Sequence, residues 1–316
     1  MAPEKEAKTP AKQGPAPVGF LDAYAGFIGP AIAVIAAGLL YVLYQEQLIS
    51  EAGAGLAVAV GVGLLCSSFV YSAAVSAAKT AADRNVGLIF SGLTLVLTGG
   101  LSAYAITPGA PAAQAELHSV GETIPLPATL DGGVRLLVHG DIGGEEEATI
   151  NFELGGGDKP IAGHLVRKVG LSRSRKGVRN RVATEQNSAF VGATLNASDH
   201  ALTLKSLNGP LQGALHVSVF KDYLPRPAAY ALAFGFVLIA AVVSVKRRWK
   251  DSAILAVGLA AAFGLVVNLN GTPDAAIRPE IGALFIGILG GGFGGSFIAW
   301  VLKRILKDGA EKPAMA

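Results

Sequence analysis

The sequence predicts an α-helical membrane bundle of six spanning helices, arranged three and three, with an all-β extracytoplasmic domain of antiparallel-sandwich or jelly-roll type inserted between the two blocks. Three observations lead there. Hydrophobic residues make up 51% of the 316 positions and charged residues 16%, against about a quarter charged in ordinary soluble domains. Six apolar runs approach or exceed the roughly 18 to 20 residues that a bilayer core requires. Between the third and fourth runs the chain changes to short β-rich stretches punctuated by Gly, Asn, Asp and Pro, a pattern of strands and turns.

Residues 1–18 are rich in Pro, Ala, Lys and Glu without an apolar period, so they bury too little to offset ordering entropy and read as a disordered cytoplasmic tail. Residues 19–107 hold the first three runs, Ala23–Tyr44, Gly53–Ala78 and Val86–Ile106. The first is longer than a signal-peptide core of about 7–15 residues and ends without a small-residue cleavage site, so it is expected to remain as an anchor. Residues 228–306 hold the other three, Ala228–Val245, Ser252–Leu269 and Ile281–Leu302, and 307–316 form a second tail.

Residues 108–227 form the inserted domain. Its expected strands are Thr123–Leu130, Val134–Ile142, Ala148–Leu154, Ile161–Val169, Val182–Leu195, Ala201–Leu207 and Ala214–Tyr223. Alternation is clearest from His216 to Phe220 and from Leu202 to Lys205, where one face is set for burial and the other for water. Cys66 is the single cysteine, so this domain has no intrachain disulfide and must fold by packing.

Orientation follows from the bases, which are retained on the cytoplasmic side of membrane segments. Lys79 and Arg84, then Lys246, Arg247, Arg248 and Lys250, then Lys303, Arg304 and Lys307 all fall on the side of the two tails. The opposite short loops carry Glu46 and Glu51, and Arg278 beside Asp274 and Glu280. Both termini are thus expected in the cytoplasm and residues 108–227 outside a cytoplasmic (bacterial inner) membrane.

Small residues recur every fourth position in the apolar runs: Gly287, Gly291 and Gly295 in the sixth, Ser68, Ser72 and Ser76 in the second, and Ala25, Gly29, Ala33 and Ala37 in the first. Such stripes let helix backbones approach closely, within one chain or between subunits of an oligomer. The six apolar cores contain no Asp, Glu, Lys, Arg or His, which argues against ion-coupled transport or proton pumping. Asp22 and Asp251 stand at helix starts and are expected to cap them. The three-plus-three order would place the second half in inverted topology, as in many transporters, and Val86–Leu93 resembles Ile281–Ile288. Two apolar helices drawn from so few residue types also resemble one another by chance.

The densest charge lies between Arg167 and Arg181: Arg167, Lys168, Arg173, Arg175, Lys176, Arg179 and Arg181, without an acid among them. Like charges so close repel unless something anionic is near, so they are the candidate partner-binding residues. The competing reading is a solvated hairpin balanced by Asp141, Glu145, Glu146, Glu147, Glu153 and Asp158. The small net charge of +3 and the placement of bases at helix ends exclude nucleic acid as the main partner. His118, His139, His164, His200 and His216 all fall in the inserted domain, but their spacing matches no metal-ligand motif. No nucleophile elbow, phosphate loop or zinc-protease motif occurs, so neither an enzyme nor a cofactor is indicated.

The reading that follows is a membrane anchor or scaffold subunit whose outer β-domain binds an envelope protein, an anionic glycan or a lipid headgroup. The alternative is a transporter or lipid flippase of inverted three-helix halves capped by that domain.

Overall fold

The computed structural model describes residues 48–128, 130, 132–144, 146–156, 159–173, 179–196, 199–273 and 277–310, with scattered positions from 31 to 46. For residues 170–173, 179–184, 277–279 and 306–310 the backbone alone is described. Among the described residues, five helical stretches are long and apolar enough to cross a membrane. Most of the run Ala23–Tyr44 and the Arg175–Lys176 tip of the basic segment lie outside them.

The helices are α1 (Glu51–Ala77), α2 (Ala81–Ile106), α3 (Arg226–Arg247), α4 (Asp251–Asn270), α5 (Ile277–Ile286) and α6 (Phe293–Ala310), the last two joined by a π-helical turn at Gly287–Gly292. Their ends are set by local chemistry. The Ser50 hydroxyl accepts from the Gly53 amide to start α1, and Thr80 with Asp83 forms a reciprocal capping box on α2. Pro225 and Pro227 start α3, where the missing amide costs nothing. The expected cap on α4 is not made: Lys250 holds that position without a side-chain bond, and the Asp251 carboxylate instead takes the Lys303 ammonium at 2.5 Å.

α4 is the axis of the bundle. About 67% of its apolar window is buried inside the protein, against 22–44% for the others. Small residues let its neighbours come close. A Cβ on Gly258 of α4 would collide with the carbonyl oxygen of Gly291, and one on Gly291 with that of Gly258. Gly287 lies against the Leu259 carbonyl oxygen at 3.0 Å and Gly295 against that of Ile254 at 3.3 Å, both measured to an added Cβ. The sixth-run glycine stripe thus faces α4 of the same chain. The widened π turn places its extra residue along this contact.

The α1–α2 pair uses other positions. Ser67 and Ser91 hydroxyls bond at 2.6 Å across the pair, and Gly87 meets Ala74. Ser68 is buried but donates to Leu65 of its own helix, Ser72 is half-buried, and the exposed Ser76 donates to Ala73. Among the described residues the serine stripe makes no hydroxyl bond between helices, and i−3 carbonyls capture the hydroxyls of Ser68 and Ser76.

The β-domain is two stacked antiparallel sheets around one apolar core. Its strands are β1 (Ala113–Leu117), β2 (Thr123–Pro125), β3 (Gly132–Ile142), β4 (Ala148–Gly155), β5 (Ile161–Arg173), β6 (Arg179–Gln186), β7 (Ser188–Leu195), β8 (Ala201–Asn208) and β9 (Leu211–Lys221). The first sheet has the order β1-β9-β3-β7 and the second β2-β8-β4-β5-β6. Pairing is nested: β1 with β9, β2 with β8, β3 with β7 and β4 with β5, so the chain folds back on itself as one long hairpin. Val134, Leu136 and Val138 of β3 meet Ile150, Phe152 and Leu154 of β4 in the core. Gly163 is needed on β5 because a side chain there would enter the Phe152 ring.

Two sequence expectations change. Val182–Leu195, expected as one strand, is two strands in different sheets that part at Asn187. The one signal at the crossing is the polar Gln186-Asn187-Ser188, too short to mark a loop between strands of different sheets. Thr123–Leu130 shortens to a three-residue strand that ends at Pro125, with Pro127 two residues on, since proline cannot donate to a ladder.

Candidate functional site at the base of the β-domain

Residues alternate along β3, with even positions facing the core and odd positions the far side of the first sheet. Arg135 is an odd position and is nonetheless only 8% exposed. The reason is that this face rests on the ends of α2 and α4. The Arg135 Nη2 donates to Asn268 Oδ1 at 3.1 Å and to the Asn268 carbonyl at 3.3 Å. Its Nε lies 3.5 Å from Asp222 Oδ1, and its guanidinium stacks 4.5 Å from the centre of the Tyr104 ring. Burial pulls the Arg135 pKa below its ordinary value, and the Asp222 carboxylate partly restores it. Both effects are those of a charge removed from water and repaid by a partner.

The network continues on each side. Tyr104 donates to Asp222 at 2.7 Å and accepts from the amides of Tyr223 and Leu224. Asn268 donates to the Leu101 carbonyl at 3.0 Å, and the buried Ser188 and Thr272 hydroxyls meet at 3.2 Å. Three strands or strand ends are thereby tied to two helices by polar bonds in a largely buried seam.

Beside this seam lies a chain of clefts. One, of about 630 Å³, runs between β5 (Ala162, Gly163, His164) and β7 (Ala189 to Gly192) and is floored by Arg226, Leu269 and Thr272. It continues outward past Lys159 and Thr194 into a second of about 570 Å³. A third, of about 210 Å³, holds Arg135, Arg226, Asp222 and Asn268. The walls of the first two are strand edges. β7 ends its sheet, and β5 pairs with β6 only from Val166 onward, so Ile161–Leu165 pairs on one side alone.

The basic residues chosen from sequence fall mainly on the β5–β6 hairpin. Arg167 is tied down, donating to Glu185 at 2.8 Å and to the Gly144 carbonyl, and it holds the Glu185 carboxyl below the usual glutamate value, helped by Asn187. Lys168 stands opposite Thr184, and Arg173 is in register with Arg179 and Leu171 with Arg181. Paired like charges are unfavourable in a ladder. Of the histidines, His139 and His216 are cross-strand neighbours with rings 6.3 Å apart, and His216 lies 3.4 Å from Glu116. Among the described residues no three His, Cys, Asp or Glu side chains form a metal-holding group.

Sequence reasoning missed Arg135, Asp222, Tyr104 and Asn268. The one available signal was a charge between Val134 and Leu136 in an otherwise apolar strand. It also placed no ionisable group in the bundle, whereas Glu280, just outside the expected sixth run, is 1% exposed and neither carboxyl oxygen has a hydrogen-bond partner among the described residues. The chain matches no protein-family model, and comparison with curated proteins and with solved structures likewise gives no match.

Proposed function

We propose that this chain is a non-enzymatic membrane anchor whose extracytoplasmic β-domain captures an extended segment of an envelope protein along its open flank. The observation that carries the reading is the cleft between β7 and the first half of β5, where two strand edges lack neighbours among the described residues and face one another. An added strand gains main-chain hydrogen bonds from such an edge and specificity from the wall side chains. Lys159, His164 and Arg226 on the walls and the basic β5–β6 hairpin beyond favour an acidic segment.

Two finer features belong to the same reading. The nested strand pairing, set aside from the additional β6, is the connectivity of a jelly roll. The run Ala23–Tyr44 serves as a sixth crossing, which puts both termini in the cytoplasm of the inner membrane. What supports that orientation is the gathering of Lys79, Lys246, Arg247 and Arg248 at one end of the helices, opposite the sheets. The transporter alternative has less behind it: an inverted repeat would make α1 and α4 equivalent, yet α4 is far more buried than α1.

The test is photo-crosslinking from Val191 and from Thr194 in intact cells, followed by mass spectrometry. One extracytoplasmic protein captured at both positions is expected, with capture reduced by Gly192→Pro, which removes an outward-facing amide from the edge. Capture spread over many abundant proteins, unchanged by that proline, refutes the reading.

A further inference from the structure

The clefts at the base of the β-domain share a wall residue with a slot in the bundle. Leu269, at the end of α4, lines both polar clefts at the base and also an apolar slot of about 400 Å³ on the side of the helices. The slot's walls are Tyr230, Phe234 and Val237 of α3 and Ile286 and Ile298 on either side of the π turn. Its floor is α4. It exists because Gly290, Gly291, Gly294 and Gly295 leave no side chains to fill the space between α3 and α6. Its rim is open to lipid: Phe234 is 65% and Ile286 51% exposed. The volume falls in the usual range of about 300–1,000 Å³ for small-ligand sites.

Arg226 stands directly above. It is four residues, and so one helical turn, before Tyr230, and it is exposed at the mouth of the 210 Å³ cleft. In that cleft two guanidinium groups, Arg135 and Arg226, face one carboxylate, Asp222. Each cation feels the other, since Arg226 works against the charge on Arg135. Arg135 Nη1 is buried without a hydrogen-bond partner among the described residues. Among the described residues the cleft therefore carries one more cation than carboxylate, beside an unfilled donor, and charge-assisted bonds to an anion are the strong ones.

We infer that the cleft and slot together form a binding site for one anionic phospholipid, its phosphate at Arg226 over Arg135 and an acyl chain laid in the slot between α3 and α6. The charge chooses the headgroup end and the glycine-cut slot chooses the tail. Neither half alone explains why an orphaned cation and an unfilled apolar groove adjoin at Leu269. The site meets the strand-edge reading at Arg226 and at Gly192 to Thr194 of β7, which line the small cleft, and is set apart from it by the slot, which lies within the bundle.

The test uses the full chain in mild detergent, loaded with phosphatidylglycerol, with bound lipid counted by native mass spectrometry. The unaltered protein is expected to retain one phosphatidylglycerol. Arg226→Gln is expected to weaken retention about tenfold, the loss of one charge-assisted contact. Gly294→Leu fills the slot at a position where an added Cβ meets no atom within 4 Å, and is expected to abolish retention with the melting temperature unchanged. Phosphatidylcholine is expected to bind more weakly, and soluble glycerol 3-phosphate to displace nothing. Equal retention by both variants and the parent overturns the inference. So does displacement by glycerol 3-phosphate, which would make this a site for a soluble anion.

Discussion

The two halves of this molecule are held together by opposite means. In the β-domain, large side chains such as Phe152, Leu136 and Leu204 fill the space between sheets and leave water outside. In the bundle the decisive contacts are made where side chains are missing, with Gly258 and Gly291 backbone to backbone and Gly87 against Ala74. The difference follows from solvent. Apolar area drives packing when the alternative is water, but not when the alternative is lipid, where close approach and dispersion take over. The contrast teaches that removing volume injures one region and adding it injures the other.

The sharpest way to break that comparison is Phe152→Ala, which empties the sheet core. It is expected to cost about 3–5 kcal/mol, seen as a lower melting transition of the β-domain with the helical signal retained. Gly291→Ala comes next. The single added methyl must push α4 away, at about 1–3 kcal/mol, while Gly290→Ala on the outward side of the same turn is expected to be silent. Equal effects of the two alanines in a detergent melting assay would deny that backbone contact holds the bundle.

The smallest effect concerns pH. Glu185 has its pKa lowered by Arg167 and then Asn187. A depressed carboxyl stabilises above its unfolded value, near 4.3, and that contribution is lost as pH falls through the folded value. The β5–β6 hairpin should therefore keep its hydrogen-exchange protection, corrected for intrinsic rates, from pH 7 to 5 and lose it below about pH 4. The core strands β3 and β4 should not change over that range, and Glu185→Gln should remove the pH dependence.

The same contrast explains what sequence could reveal. Apolar runs and positive ends are properties of composition and distance along the chain, so five helical stretches emerged within a few residues. Strand alternation likewise marked β8 and β9. What sequence hid depends on which surfaces meet. Arg135 occupies an outward strand position and would be a surface residue if α4 did not end beneath it. Ser67, and not its neighbour Ser68, bridges α1 and α2, a difference of one hundred degrees of helix rotation that spacing alone leaves open. The lining of the clefts draws on β5, β7, α3 and α4, elements brought together only by the nested pairing.

Tyr104 lies three residues before the chain leaves α2 and grips Asp222, Tyr223 and Leu224, where the chain comes back. The Ala112 amide meets the Val219 carbonyl at 2.8 Å just above it. Departure and return thus share one gate, set beside the ties that Arg135 and Ser188 make to the end of α4. Such an arrangement suits exchange: a short glycine bridge in place of residues 110–220 should close the gap without parting α2 from α3, and a different globule could be grafted there.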